Sequence, residues 1–183
     1  MTPCLRILEF RVATPREVNR TMGKRIDTST IRPVIGTLYP TPFDQPCRAR
    51  ERLRLGAAGG LSQFGVNIVT LPPGSWSSQR HWHTGSDEFI YVLCGQMVLL
   101  TDAGEELLSA GDAAAFPAGE PNGHCLQNRS DHEARAIEIG TRLAHDVVHY
   151  SDVDLVMPAG GKPAIYTHRD GTPYQNIVRR GPG

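Results

Sequence analysis

From Phe64 to Ile139 the chain is cut into short runs by turn residues. Phe64 to Leu71 stops at Pro72-Pro73-Gly74, Glu88 to Leu93 at Gly95, and Met97 to Thr101 at Asp102-Ala103-Gly104. Glu106 to Leu108 leads to Ala110-Gly111-Asp112, and Ala113 to Phe116 to Pro117-Ala118-Gly119. His124 to Asn128 stops at Arg129-Ser130-Asp131, Ala134 to Ile139 closes the series, and Trp76 to His83 reads as a further strand. Such runs are too short for self-supporting helices, and several are rich in β-branched residues. Gly, Pro and Asp between them supply the backbone angles that tight turns need. The pattern predicts an all-β antiparallel barrel or jelly roll and gives no support to a helical bundle or a parallel α/β sheet.

A chain of 183 residues can bury one substantial core. Lys+Arg and Asp+Glu balance at 19 each, so no global charge recruits nucleic acid or an anionic membrane. No apolar run approaches the ~20 residues of a membrane span. The cysteines Cys4, Cys47, Cys94 and Cys125 lack CxxC spacing and read as reduced thiols, which leads to the expectation of a cytoplasmic protein. No GxGxxG, GxxxxGK[ST] or GxSxG motif is present.

Residues 1–32 read as a flexible arm with Arg6, Arg11, Arg16, Arg20, Lys24 and Arg25 and no apolar core of a secretory signal. Met22 is the expected start of the part that fits the rest of the domain. Residues 33–157 are expected to hold the barrel, with Asp146 to His149 as an edge strand. Residues 158–183 form a C-terminal extension that lies over the barrel or over a partner. One barrel per chain with exposed edges leads to the expectation of a homodimer.

The chemistry concentrates in two stretches. On a strand, His81 and His83 leave the same face, and Glu88 opens the next apolar run. Two imidazoles and a carboxylate converging inside a sheet signal a metal site. Gln79 shares the parity of the histidines and is a candidate pocket residue. Asn128 and Glu138 are candidates for pocket or supporting roles, Glu138 as a partner for a ligand's second nitrogen.

Residues 74–95 and 111–128 together resemble the two signature motifs of the cupin superfamily. Gly74, His81, His83, Glu88 and Gly95 fit the first, with one extra residue between Gly74 and His81. Gly111, Pro117, Gly119, His124 and Asn128 fit the second, with a spacer between Gly119 and His124 longer by two residues. The nearest likeness is to uncharacterised single-domain cupins, which also carry segments like Phe116-Pro117-Ala118-Gly119 and Asp170-Gly171-Thr172-Pro173-Tyr174. The resemblance implies a double-stranded β-helix and a metal site of His81, His83, Glu88 and His124.

Neutral imidazoles and one carboxylate suit a divalent transition ion: Fe, Mn, Ni, Zn, Co or Cu. About four protein ligands leave roughly two octahedral positions for a small-molecule ligand or substrate. The expected function is a metal-dependent enzyme acting on a small anionic or oxygen-rich metabolite, with dioxygenase-like chemistry ahead of isomerisation and decarboxylation by family analogy. The alternative is a non-catalytic cupin that binds or senses a small molecule. A structural metal, a metal-free pocket and a storage role rank lower.

Overall fold

The computed structural model describes residues 23, 25–160 and 166–182. Most of the expected N-terminal arm, residues 1–22 and 24, lies outside them. Twelve strands follow in chain order: β1 (Val34–Ile35), β2 (Glu51–Leu53), β3 (Phe64–Leu71), β4 (His81–His83), β5 (Glu88–Cys94), β6 (Gln96–Thr101), β7 (Gly104–Ser109), β8 (Ala113–Phe116), β9 (Cys125–Gln127), β10 (Ala134–Thr141), β11 (Val148–Tyr150) and β12 (Val156–Met157). One α-helical turn, Leu55–Ala58, precedes β3. The all-β fold class holds.

The strands form two layers. One is a six-stranded antiparallel sheet in the order β1-β2-β3-β10-β5-β8. The other combines β12-β11-β4 with β7-β6-β9, and the join is at the site: His81 and His124 exchange backbone bonds of 3.1 and 2.9 Å. Packing the two layers face to face makes the jelly roll. Alternation along each strand fills the space between with Val69 and Leu71 of β3, Ile90 and Val92 of β5, Ala134 and Ala136 of β10, and Met97, Leu99, Leu108 and Leu126 from the opposite layer. A second buried cluster, with Tyr39, Val148, Tyr150, Leu155 and Tyr166, closes the other end.

Two local outcomes differ from the sequence pattern. The run from Trp76 to His83 is a strand only over His81–His83. Ser77 explains the break: its hydroxyl accepts from Leu126 N at 3.0 Å, while its carbonyl is turned toward the Arg50 guanidinium. A side chain stands in for the carbonyl, so no regular ladder forms. Second, β11 is the middle strand of its sheet rather than an edge, because Val156 and Met157 pair along its free side. Residues 166–182 return across the start of the barrel, one of the two placements expected for the C-terminal extension. Thr37 and Arg180 exchange backbone bonds of 3.0 and 2.9 Å, and Tyr166 packs beside Tyr39.

Candidate metal centre

β4 delivers His81 and His83 to the interior face and leaves Trp82 on the other, stacked on His149 with ring centroids 4.6 Å apart. The inward face is fixed by pairing: Tyr150 and Val148 of β11 lie opposite His81 and His83. Glu88 begins β5, opposite Gly140 on one side and Phe116 on the other. A Cβ at Gly140 would touch the Glu88 Cγ at 3.5 Å, so the glycine leaves this side chain its room. His124 is aimed by the chain's close approach to β11: a Cβ at Gly123 would lie 3.0 Å from Ser151 Cβ and collide with its hydroxyl. The His124 ring then lies flat on Phe116, with centroids 3.5 Å apart.

The four side chains meet at one oxygen. Glu88 Oε2 is 3.0 Å from His124 Nε2, 3.4 Å from His81 Nε2 and 3.5 Å from His83 Nε2. Among the described residues, ligand atoms of His81, Glu88 and His124 all lie within 4.8 Å of one another, and His83 joins them through Glu88. The outer nitrogens set the tautomers. His81 Nδ1 faces the Gln79 carbonyl at 3.0 Å, and His83 Nδ1 faces Asp146 Oδ2 at 2.5 Å. Both partners accept only, so both Nδ1 atoms carry the proton and, in neutral rings, both Nε2 lone pairs point inward.

Burial pushes Glu88 toward neutrality, but hydrogen bonds from His124 and His81, which require a proton on the facing Nε2, and the nearby imidazoles hold its carboxyl well below the usual range. Burial is also the largest influence on His124 and lowers its pKa, against the raising effect of Glu88. A carboxylate faced by three imidazole nitrogens is satisfied either by protons on the rings or by a cation among them. The donor set fits a divalent transition ion.

Two cavities share this cluster as a wall. One, of about 310 Å³, includes Trp82, Leu99, Glu106 and Phe116. The other, of about 190 Å³, includes Tyr39, Arg50, Arg52, Glu138 and Tyr150. His83, Glu88 and His124 line both, so a small molecule in either space reaches the cluster.

The remaining candidates separate. Glu138 lines the smaller cavity, but its carboxylate takes Arg52 Nε and Nη2 at 2.7 and 3.0 Å rather than a histidine nitrogen. Gln79 donates its amide to the Phe43 carbonyl at 2.7 Å and supports His81 through its own backbone carbonyl. Asn128 donates to the Leu71 and His132 carbonyls at 2.7 Å each and accepts from Ser130, tying a turn together. Asp146 supports His83, and Tyr150 stacks on His81 at 5.7 Å. Sequence reasoning missed both, because β11 meets β4 only through the fold and no local spacing announces the pairing.

A protein-family model described as "Cupin domain" matches residues 67–140. The chain is 43% identical to a sugar phosphate isomerase of the cupin superfamily from Silicibacter pomeroyi, over 85% of this chain and 100% of that one, with a TM-score of 0.79. A structure from Acidithiobacillus ferrooxidans, named as a candidate sugar phosphate isomerase, is 22% identical over 92% of this chain and 97% of its own, with a TM-score of 0.66. The polyketide cyclase RemF of Streptomyces resistomycificus is 23% identical over 66% of this chain and 80% of its own, with a TM-score of 0.53. The last two show the fold alone. No curated protein matches the chain. The matched segment holds both histidine-bearing stretches, the double-layered fold encloses them, and the near relative spans most of the chain: this protein belongs to the cupin superfamily.

Proposed function

We propose that the chain is a metal-dependent enzyme acting on a small anionic, oxygen-rich metabolite, with isomerisation of a sugar phosphate as the leading reaction. The observation that carries the reading is the convergence of His81, His83 and His124 Nε2 on Glu88 Oε2, beside a cavity lined by Arg50 and Arg52. His81, His83, Glu88 and His124 would hold the ion. A bound divalent ion supplies Lewis-acid polarisation of a carbonyl or hydroxyl oxygen. The chain's own part is to fix the imidazole tautomers through Gln79 and Asp146, to shelter the site with Phe116 and Tyr150, and to present positive charge to the substrate. The name carried by the 43% identical relative moves the weight from dioxygen chemistry to isomerisation.

A non-catalytic binding role is the second reading. It is favoured by one observation: two carboxylates beside the cluster are committed, Glu138 to Arg52 and Asp146 to His83. We also read the chain as a homodimer in a reducing, cytoplasmic compartment. Support comes from an apolar outer sheet face with Phe89 and Tyr91, and from Cys47, Cys94 and Cys125 as free thiols. No helix among the described residues is long and apolar enough to cross a membrane.

Elemental analysis of protein purified from medium supplied with Fe, Mn, Ni, Co, Cu and Zn should give about one ion per chain, and His124→Ala should lose it. Sugar phosphates incubated with the loaded protein in deuterated water should exchange a carbon-bound hydrogen, as read by NMR. Metal-free protein would refute the centre. A loaded protein that binds these compounds without exchange would establish the binding role instead.

A further inference from the structure

Four guanidinium groups gather where the C-terminal segment crosses the barrel. Arg50, Arg52, Arg54 and Arg179 line a cavity of about 140 Å³ together with Gly36 and Tyr166. Arg50, Arg52 and Tyr166 also wall the 190 Å³ cavity that reaches the histidine cluster. Among the described residues this charge is poorly matched. Glu138 pairs with Arg52, Glu88 faces the histidines, and Asp44 is taken by Arg48 and Arg180.

Arg50 is only 7% exposed, yet its guanidinium meets neutral acceptors: the carbonyls of Ser77 and Gly36 and the hydroxyl of Thr37. Such partners satisfy its N–H groups without an opposing charge, and the guanidinium also lies over the Tyr39 ring at 5.6 Å. Arg179 gives one nitrogen to the Gly36 carbonyl at 3.1 Å, and Arg54 has no partner among the described residues. The Arg179 pKa is lowered first by desolvation and then by repulsion from Arg54, Arg50 and Arg52, so the four groups share one field. Like charges held together repel until an anion joins them, and planar guanidinium forks suit the oxygens of a tetrahedral oxyanion.

We infer that the pocket of Arg50, Arg52, Arg54 and Arg179 is a phosphate anchor, which holds the dianionic end of a small ligand by hydrogen bonds from Arg54 and Arg179 and by the charge of Arg50 and Arg52. Three unmatched positive charges favour a dianion over a simple carboxylate. Arg52, shared by both cavities, places the remainder of the ligand toward Glu88 and the histidines; that orientation rests on the metal-centre reading above, whereas the anion site stands on its own residues.

The test is calorimetric titration of the full chain, stripped with a chelator, with inorganic phosphate at constant ionic strength balanced by chloride. Saturable binding is expected. Arg54→Ala and Arg179→Ala remove exposed side chains and should each weaken it roughly tenfold, with the pair abolishing it. Stripped His124→Ala protein should bind phosphate as the parent does, and the double arginine variant should keep its normal metal content. Absence of saturable binding, or arginine variants that bind phosphate as tightly as the parent, overturns the proposal. So does phosphate binding that appears only with metal and vanishes in His124→Ala, which would put the anion at the cluster. Failure of metal loading with phosphate binding intact would strike the metal centre alone.

Discussion

Asp146 lies 63 residues from His83 and meets it at 2.5 Å. The same carboxylate accepts from the Gly85 backbone at 2.8 Å, so ring, turn and carboxylate are fixed together. Burial raises its pKa, but hydrogen bonds from His83 and Gly85 outweigh that and keep it ionised. Supports of this kind tune metal affinity by orienting the ring and raising its basicity. Asp146→Asn should therefore weaken metal binding by roughly 10- to 100-fold with the fold intact, as measured by competition with a chromophoric chelator. Unchanged affinity would remove Asp146 from the centre.

A second residue-scale prediction concerns acid stability. Asp44 is fully buried and paired with Arg48 at 2.7 Å. Burial alone would raise its pKa; hydrogen bonds from Arg48 and Thr41 and the Arg48 charge bring it below the usual value. The native state thus takes up this proton less readily than the unfolded chain. The stabilisation is present above the ordinary carboxylate range and is lost as pH falls from about 5 through the lowered native value. Asp44→Asn should cost roughly 1–3 kcal/mol at neutral pH, and the gap to the parent should close toward pH 2. Urea unfolding across that range checks it, and a gap independent of pH would show that the carboxylate's ionisation is not what stabilises.

At the scale of elements, the approach of the β9 lead-in to β11 decides where His124 points. Gly123 permits it, because any side chain there meets Ser151 Cβ at 3.0 Å and Arg80 Cγ at 3.3 Å. Gly123→Ala should destabilise the fold by about 1–3 kcal/mol through overpacking and should reduce metal occupancy. Adding Ser151→Gly should restore most of both losses in thermal melts and metal analysis. A double variant no better than the single one would show that some other contact sets the approach. The neighbouring element works by stacking: Phe116 at the end of β8 lies against the His124 ring and closes one side of the site.

Across the whole molecule, the six-stranded sheet has an apolar outer face. Phe89 and Tyr91 of β5 lie opposite Ile139 and Ile137 of β10, which lie opposite Val66 and Ile68 of β3. Phe89 and Tyr91 are 39% and 41% exposed in the single chain. Contiguous apolar rows on a sheet face are what an isologous dimer covers. The parent should run as a dimer in light scattering, and Tyr91→Glu should yield a monomer that still binds metal. A parent already monomeric at working concentration would leave the face without a second copy.

The all-β class was legible because each run was short and each break carried a residue that turns the chain. His81 and His83 were legible because a period of two puts both on one face whatever the partner strand. Glu88 and His124 were proposed from motif spacing, and the structure brings His124 to Glu88 Oε2 at 3.0 Å, the oxygen that His81 and His83 also face. The broken strand at Ser77 was not readable, since it depends on Arg50 reaching the Ser77 carbonyl. Nor was the pairing of Asp146 with His83, the capture of Glu138 by Arg52, or the gathering of arginines 50, 52, 54 and 179, the last of these separated from the rest by most of the barrel. The sequence by itself determined which residues alternate inward and which chemistry they carry, because strand periodicity and turn preference are local. Only the tertiary structure decided which inward side chains face one another and which charges share a cavity, because strand order and the returning C-terminal segment set those distances.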